Sequence, residues 1–252
     1  MQRKQRLNQI VAAIVENGIM DVPALAATFE VSEATIRRDL GLLEQQQLVS
    51  RTRGGATRHV AFNDLPLRYK SSQDAEEKRR IALAALPFLD GARVIGLTGG
   101  TTVWEFAQQL GNRTGLTVVT NALNVATSLV GHTGIRVFAA GGEVRASSQE
   151  AVGPSAEAFL ADYHIDVSFV GVDAVSAEAG CTNYDPVGAR VNAAMSQRSR
   201  ITVVLADATK IGRTALAGVR AITDVDVLIT DARASEEVVQ AIERNGCRVI
   251  RA

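Results

Sequence analysis

The sequence predicts two domains of different fold class: a small, mainly helical N-terminal domain and a larger C-terminal α/β domain with a mostly parallel sheet. The chain has 252 residues, which suits a small domain joined to a medium-sized one. Apolar residues recur at helical spacing near the N-terminus. From about Arg93 onward, short apolar runs alternate with helical stretches, which favours a parallel sheet covered on both faces. We therefore expect domains at residues 1–57 and 75–252, joined by a linker at 58–74.

The composition restricts the class of protein. Apolar residues make up 46% of the chain, which allows a large core and argues against wholesale disorder. No apolar run approaches the roughly 20 residues that cross a bilayer, and no apolar segment of a signal peptide follows the basic N-terminus. The cysteines, Cys181 and Cys247, show no metal-ligand spacing. We expect reduced thiols and a cytoplasmic protein.

The first domain is predicted to contain three helices. The first ends at Asn17-Gly18, and Asp21 is expected to cap a short second helix at residues 22–29, with Pro23 in its first turn. Ser32 is expected to cap a third helix from Glu33 to about Gln46. The apolar stripes that should face the core are Leu7, Ile10, Val11, Ile14 and Val15 in the first helix and Ile36, Leu40 and Leu43 in the third.

The short helix, tight turn and longer helix form the pattern of a helix-turn-helix, in which the second helix enters the major groove of DNA. Residues 48–53 then favour a strand, with a turn at Gly54-Gly55. Such a hairpin can lie along the DNA backbone as a wing, and it carries Arg51, Arg53 and Arg58. The residues we expect to contact DNA are Ser32, Glu33, Thr35, Arg37, Arg38, Arg51 and Arg53.

A plainer interpretation treats Arg37 and Arg38 as a solvated helix face, paired with Asp39 or Glu33. Residues 1–60 carry eight Lys/Arg and six Asp/Glu, a net charge of +2, whereas residues 61–252 carry nineteen and twenty-one, a net charge of −2. This balance alone does not indicate a nucleic-acid partner. The agreement of caps, turn, apolar stripe and basic hairpin favours DNA contact. Glu33 can repel phosphates, orient an arginine or accept from a cytosine amine.

The second domain is predicted from six apolar runs with helices between most of them. Helical stretches are expected at 103–110 and 122–130, and an amphipathic helix at 78–89 should precede the sheet. The predicted strands are 94–97, 117–120, 135–139, 167–170, 201–205 and 227–230.

Small and polar residues follow these strands, at the edge where parallel sheets bind ligands. The Gly99–Thr102 loop precedes a helix, so that its backbone amides, hydroxyls and helix N-terminus can bind an anion. Lys210 follows another strand and offers a cation. The plainer interpretations are a tight strand-to-helix connection, a surface lysine, a helix cap at Asn121 and an ordinary turn at Gly141-Gly142.

The residues that carry a resemblance to a known family lie in both domains. Val31–Leu40 followed by Arg51-Thr52-Arg53-Gly54-Gly55-Ala56 resembles the N-terminal signature of the DeoR family of bacterial regulators, and the resemblance continues along nearly the whole chain. It implies a winged helix-turn-helix, an oligomer, and repression of sugar-metabolism genes that a phosphorylated intermediate relieves.

The second domain resembles the DeoR sensor domain, which is similar in fold to ribose-5-phosphate isomerase. The matching blocks are Gly100-Thr101-Thr102, Thr120-Asn121, Gly141-Gly142, Gly180-Cys181-Thr182 and Asp207–Gly212. The resemblance implies that the Gly-Thr-Thr loop and Lys210 hold a phosphate and that further residues contact the sugar. The implied effector-binding residues are Gly99, Gly100, Thr101, Thr102, Asn121, Gly142, Asp173, Thr182, Arg190, Asn192 and Lys210.

The chain departs from the family pattern in the part expected to contact the sugar. Thr98 stands where many members have Asp, and Gly188 and Asn192 stand where glutamate and lysine are usual. An alternative function, a sugar-phosphate isomerase with an added DNA-binding domain, needs a carboxylate base and an acid or cation. Of the implied positions only Asp173 supplies a carboxylate, so we expect no catalysis.

No other enzyme motif or metal-ligand cluster is evident in the sequence, and the three histidines, His59, His132 and His164, are isolated. A nonspecific DNA-packaging protein should carry a larger positive charge and lack a polar cluster at the strand ends. We therefore expect a DNA-binding repressor, dimeric or tetrameric, whose operator binding responds to a phosphorylated sugar. No cofactor, metal or membrane partner is expected.

Overall fold

The computed structural model describes residues 3–45, 48–58, 67–71 and 73–252. It divides the chain into two compact units, Met1–Gln73 and Asp74–Ala252. Of the predicted linker at 58–74, residues 59–66 and 72 lie outside the described residues, as does Gln46, the predicted end of the third helix. A short helix at Leu67–Lys70 occupies part of the segment that the sequence suggests is only a linker.

The N-terminal unit contains the three predicted helices and a small sheet. Asp21 caps the second helix by accepting a hydrogen bond from the Ala24 amide at 2.7 Å, and the Ser32 hydroxyl accepts from the Thr35 amide at 3.2 Å. Both predicted caps are therefore confirmed. The elements are α1 (Arg3–Asn17), β1 (Ile19–Asp21), α2 (Val22–Phe29), α3 (Glu33–Gln45), β2 (Val49–Thr52), β3 (Gly55–Arg58) and α4 (Leu67–Lys70).

The core of this unit lies between α1, α2 and α3. The predicted stripe residues Ile10, Val11 and Ile14 of α1 are fully buried, whereas the Val15 side chain lies outside the described residues. The strands pair in the order β1-β3-β2. Strand β1 was not predicted, because three residues are too few to show an alternating pattern. The other buried residues of the unit include Leu25, Ile36, Leu40, Leu43, Val49 and Leu48, which immediately precedes β2.

A buried ion pair ties α1 to α3. Asp39 is 1% exposed, and its carboxylate accepts from Nε of Arg6 at 2.7 Å, with Nε of Arg3 at 3.5 Å. Because both cations belong to α1, the Asp39 side chain faces that helix and not the exposed face of α3. The interpretation in which Asp39 neutralises the neighbouring arginines of α3 loses its support.

The C-terminal unit is built on a seven-stranded sheet, counted over the described residues. Its strands are β4 (Val94–Leu97), β5 (Leu116–Thr120), β6 (Ile135–Ala139), β9 (Ile165–Gly171), β12 (Ser199–Leu205), β14 (Val227–Thr230) and β15 (Arg248–Arg251). They lie in the order β15-β14-β12-β9-β4-β5-β6, and every neighbouring pair is parallel. The helices are α5 (Ala75–Ala85), α6 (Thr101–Gln108), α7 (Leu123–Leu129), α8 (Pro154–Ala161), α9 (Pro186–Gln197) and α10 (Glu236–Arg244).

The six predicted strands are present, and the mostly parallel α/β class is confirmed. Five short strands outside this sheet were not predicted. They form a hairpin of β7 (Glu143–Arg145) and β8 (Glu150–Val152) and a small sheet of β10 (Ala174–Ser176), β11 (Gly180–Asn183) and β13 (Ala217–Arg220). The helix predicted at 78–89 begins earlier and gives way to a 3-10 turn at Leu86–Leu89, where Pro87 has no amide hydrogen to continue the α-helix.

The core of the C-terminal unit packs α5, α6 and α7 onto one face of the sheet. The rings of Phe106 and Phe169 lie 4.1 Å apart and are both fully buried. The cysteines are free and buried, and burial raises the pKa of Cys181 to about 12, so both pack as apolar residues. None of the helices in the described residues combines the length and the apolar character that crossing a bilayer requires.

Candidate functional site

The exposed face of α3 presents the side chains predicted to contact DNA. Ser32, Glu33, Arg37 and Arg38 are exposed and Thr35 is half-buried, while Ile36 and Leu40 of the same helix are buried. The Ser32 and Thr35 hydroxyls lie 2.9 Å apart at the helix N-terminus. The apolar stripe thus turns the hydroxyls and guanidinium groups to the outside, as a recognition helix requires.

Glu33 and Arg37 form an exposed ion pair one helical turn apart. Nη2 of Arg37 donates to Oε2 of Glu33 at 2.8 Å, which corresponds to the interpretation that Glu33 orients an arginine. No ion pair connects Arg38 to another of the described residues. An exposed pair of this kind stabilises a helix by only about 0.3–0.5 kcal/mol, so a phosphate or a guanine can compete for the guanidinium.

The wing is the hairpin of β2 and β3. Its turn contains Gly54 at a φ of +100°, and the side chains of Arg51 and Arg53 are exposed. The Arg58 backbone belongs to β3, but its side chain lies outside the described residues. The hairpin therefore carries two exposed guanidinium groups in the same unit as α3.

In the C-terminal unit, the Gly99–Thr102 loop connects the end of β4 to the start of α6. Gly100 occupies the N-cap position at a φ of +109°, which favours glycine, and provides no side chain to cap the helix. The first-turn amides of α6 are consequently left to an acceptor from outside the helix. The Thr102 side chain is buried and that of Thr101 is half-buried.

A residue that the sequence analysis did not single out, Glu150 of β8, lies directly on this loop. It is 7% exposed, and Oε1 accepts a hydrogen bond from the Gly99 amide at 3.0 Å. A Cβ at Gly99 would overlap the Glu150 carboxyl group, with Cγ only 2.6 Å away. The hairpin brings Glu150 here because Ala151 donates its amide to the Asn121 carbonyl at 2.7 Å.

Two buried amides flank the loop. Asn121, 1% exposed, points Nδ2 at Oε1 of Glu150 (3.4 Å) and at the Ala151 carbonyl (3.3 Å). Asn192, 3% exposed, donates Nδ2 to the Gly171 carbonyl at 3.0 Å. The Oδ1 atoms of both asparagines accept no hydrogen bond from the described residues. The structure thus brings two predicted site residues into one cluster with the Gly99 loop.

The Thr98 hydroxyl holds the ends of β4 and β9 together. It accepts from the Gly171 amide at 2.9 Å and donates to the Gly99 carbonyl at 3.3 Å. Thr98 is fully buried, so this position supports the loop and exposes no charged group to a ligand.

Arg145 extends the cluster to the start of α9. Its Nη2 lies 3.7 Å from Oε2 of Glu150 and its Nη1 lies 3.6 Å from Oδ2 of Asp185. Asp185 caps α9 through the Gly188 amide. The guanidinium therefore links the carboxylate on the loop to the helix turn that contains Gly188.

Other predicted effector residues have partners within the unit. The Asp173 carboxylate accepts from the Tyr184 amide at 3.1 Å, and the Thr182 hydroxyl accepts from the Ala215 amide at 2.8 Å. Arg190 is exposed and pairs with Glu157 of α8 at 3.1 Å. Gly142 has a φ of +133° and packs near the start of α8. Among the described residues, no hydrogen bond or ion pair joins Thr182, Arg190 or Gly142 to the Gly99 loop.

Lys210 ends a 3-10 turn, Ala208–Lys210, that follows β12. The buried carboxylate of Asp231 anchors this turn by accepting from the Ala208 amide at 2.7 Å. Burial acts to raise the pKa of Asp231, but hydrogen bonds from the Arg233 side chain and from two backbone amides outweigh it, so that the pKa lies below its usual value. Asp231 is therefore a carboxylate that fixes the turn carrying Lys210.

The strand order places Lys210 and the Gly99 loop at the same edge of the sheet. β12 is adjacent to β9, and β9 is adjacent to β4. Because these strands are parallel, the turns that follow β12 and β4 lie two strands apart on one side of the unit. No group of three or more histidine, cysteine or acidic side chains suited to a metal ion occurs in the described part of the chain.

A helix-turn-helix unit with an exposed arginine face and a parallel α/β unit with a polar strand-end cluster define a two-domain transcription regulator. A model of the DeoR-like helix-turn-helix domain matches residues 6–60, and a model of the DeoR C-terminal sensor domain matches residues 73–232. The chain belongs to the DeoR family.

Curated relatives agree with this assignment. A putative aga operon transcriptional repressor of Escherichia coli O157:H7 is 31% identical over 98% of this chain and 93% of its own length. The glycerol-3-phosphate regulon repressor of Escherichia coli K12 is 30% identical over 96% of each chain. Among solved structures, ribose 5-phosphate isomerase A from Methanocaldococcus jannaschii matches 55% of each chain with a TM-score of 0.42 and 19% identity.

Proposed function

We propose that this chain represses sugar-metabolism genes by binding operator DNA through α3 and the wing, and that a phosphorylated sugar bound at the Gly99–Thr102 loop and Lys210 modulates this binding. The observation that carries the proposal is the uncapped N-terminus of α6 at the ligand-binding edge of a parallel sheet. Family membership supports the pairing of this site with a DNA-binding domain.

For DNA, the proposal assigns the base contacts to the first turns of α3. Arg38 and, once released from Glu33, Arg37 can each donate two hydrogen bonds to a guanine edge. Ser32 and Thr35 lie at the positive end of the helix, where phosphate contacts are favoured. Arg51 and Arg53 are assigned to the phosphate backbone beside the groove.

For the effector, the proposal assigns the phosphate to the first-turn amides of α6, the hydroxyls of Thr101 and Thr102, and Lys210. The sugar is assigned to Asn121 and Asn192, whose Oδ1 atoms receive no hydrogen bond from the part of the chain that the structure describes and can accept from its hydroxyl groups. Asp173, Gly142, Thr182 and Arg190 remain candidates for the rim of the site.

The rest of the proposal concerns organisation. We assign DNA binding to residues 1–57, a linker to 58–74 and sensing to 75–252, and we propose a dimer or tetramer in the cytoplasm, because paired half-sites in an operator require paired recognition helices. Effector and operator each weaken the binding of the other by the same factor.

We also propose that the sensor has no isomerase activity. A base and an acid placed on either side of a substrate carbon are needed for that reaction. Position 188 is a glycine, and position 192 is an asparagine, whose side chain is uncharged. The Asp173 carboxylate accepts a hydrogen bond from the Tyr184 backbone amide. Proton NMR of the bound sugar phosphates should show no conversion between aldose and ketose, and steady conversion would contradict this part of the proposal.

The test uses operator duplexes selected from a random pool by the wild-type chain. Arg37→Ala/Arg38→Ala should abolish operator binding in fluorescence anisotropy, while sugar phosphates still raise the melting temperature of the sensor. Lys210→Ala should leave operator binding unchanged and remove its response to a panel of sugar phosphates and the corresponding free sugars.

Matched controls remove the same charge elsewhere. Arg79→Ala/Arg80→Ala alters two exposed cations of α5, and Arg200→Ala alters an exposed cation at the opposite end of β12 from Lys210. Both controls should behave as wild type. Normal operator binding by the Arg37/Arg38 variant would refute the recognition helix, and an unaltered ligand response in Lys210→Ala would refute the phosphate site.

A further inference from the structure

The Gly99–Thr102 loop, which resembles an anion site, already has a carboxylate on it. Glu150 is almost fully buried and accepts the Gly99 amide hydrogen at 3.0 Å. A buried carboxylate next to a proposed phosphate site is costly, because like charges in a poorly solvated site repel strongly. Such an arrangement needs a reason, and stabilisation of the loop alone requires only a neutral acceptor.

The surroundings of Glu150 accommodate a carboxylate at the Gly99–Thr102 loop. Glu150 fits against the loop only because residue 99 lacks a side chain, since a Cβ there would overlap its carboxyl group. Asn121 approaches Oε1 at 3.4 Å and Arg145 approaches Oε2 at 3.7 Å. Both oxygens of the carboxyl group therefore face donors.

The Arg145 guanidinium, which lies beside this carboxylate, is already shared. The guanidinium of Arg145 lies 3.6 Å from Asp185 as well as 3.7 Å from Glu150. Two carboxylates, those of Glu150 and Asp185, therefore share one guanidinium beside the loop. A second anionic group of a ligand would meet a negative field here.

The neutral polar atoms at the loop also favour one kind of ligand. The Oδ1 atoms of Asn121 and Asn192 are buried and receive no hydrogen bond from the described residues. Both are acceptors, and so is Glu150. A group that carries O–H or N–H donors satisfies both Oδ1 atoms and is compatible with the Glu150 carboxylate, whereas a carboxylate satisfies neither atom and is repelled by Glu150.

We propose that Glu150 is a specificity-determining residue of the sensor, which selects a phosphorylated sugar whose sugar end is neutral or carries an ammonium group and rejects phosphorylated sugar acids. The inference rests on the proposed sugar-phosphate function and deepens it. The phosphate provides the negative charge that the α6 amides and Lys210 attract. Glu150 favours ligands whose sugar end carries hydrogen-bond donors.

The experiment measures affinity by calorimetry for three ligands that share a carbon skeleton: glucose 6-phosphate, glucosamine 6-phosphate and 6-phosphogluconate. Wild type should bind the acid at least about tenfold more weakly than the neutral sugar, and the amino sugar at least as tightly as the neutral one. Glu150→Gln keeps the shape and removes the charge. It should reduce the discrimination against the acid to within about threefold and weaken the amino sugar relative to the neutral sugar.

Two further variants control the result. Glu150→Asp keeps the charge and should retain the discrimination against the acid, so that a loss caused by poor folding is separated from a loss of charge. Glu143→Gln removes an exposed carboxylate from β7 of the same hairpin and should rank the ligands as wild type does.

The outcomes separate the inference from the proposed function. Binding of sugar phosphates with a ranking that Glu150→Gln leaves unchanged overturns the role of Glu150 and leaves the sensor function standing. An equal tightening of all three ligands, and of inorganic phosphate, shows that Glu150 only occupies the phosphate position, and this also overturns it. If wild type binds neither inorganic phosphate nor any sugar phosphate of the wider panel, the proposed function fails as well.

Discussion

Replacing Gly99 with alanine tests the contact on which the loop depends. The backbone of Gly99 lies outside the left-handed region, so alanine is not strained by its own conformation. Its Cβ would, however, lie 2.5 Å from Oε1 and 2.6 Å from Cγ of Glu150. The carboxylate must then leave the Gly99 amide.

The magnitude follows from the bond that is lost. A hydrogen bond to a charged acceptor contributes about 1.5–3 kcal/mol, so Gly99→Ala should lower the free energy of unfolding of the C-terminal unit by about 2 kcal/mol. For a unit of this size, this corresponds to a decrease of roughly 4–8 °C in melting temperature. In a Glu150→Ala background the new methyl group enters vacated space, and the same substitution should cost about 0 kcal/mol, because alanine also restricts the unfolded chain.

The assay is a double-mutant cycle followed by the fluorescence of Trp104. This is the single tryptophan of the chain, and it lies on α6 in the C-terminal unit, so its signal follows that unit alone. The cycle should give an interaction energy of about 2 kcal/mol between positions 99 and 150. Equal costs of Gly99→Ala in both backgrounds would show that Glu150 does not lie on the loop.

Three further predictions concern the N-terminal unit. Gly55→Ala places a Cβ into the backbone of the facing strand β1 and should destabilise the N-terminal unit by about 1–3 kcal/mol. Operator binding in anisotropy titrations should weaken as a result. The control Gly41→Ala, which has open space around it, should stabilise α3. Arg6→Ala leaves the buried carboxylate of Asp39 without its nearest cation. The free energy of unfolding, measured by urea denaturation and circular dichroism, should fall by about 3 kcal/mol. A decrease below about 1 kcal/mol would contradict the buried ion pair. Arg51→Ala/Arg53→Ala should reduce the slope of log affinity against log salt concentration by about 2. An unchanged slope would show that the wing does not contact the DNA backbone.

Local signals were the ones that the sequence revealed. The caps at Asp21 and Ser32 depend on amides only three residues away, and the pairing of Glu33 with Arg37 depends on a spacing of four residues. The six predicted strands of the large sheet were visible because each contains a run of apolar residues. Strand β15, with arginines at both ends, was not predicted. Strand β1, with three residues, gave no comparable pattern.

Glu150 could not be predicted from the sequence because its contact with Gly99 spans 51 positions. The contact forms only when the chain has folded so that Ala151 of β8 donates a hydrogen bond to the carbonyl of Asn121, at the end of β5. A charged residue beside Ala151 and Val152 gives no indication that its strand is buried on all sides. The Gly99–Thr102 loop was therefore predictable as the connection from a strand to a helix, and the carboxylate placed on it was not.

We propose that one chain couples operator binding to the binding of a phosphorylated sugar. The most direct test measures operator affinity with and without saturating effector, and effector affinity with and without saturating operator, in the full chain. We predict the same factor in both directions, in the range of about 5- to 150-fold, and a factor of one in Lys210→Ala. Operator and effector that bind independently in the wild-type chain would contradict it.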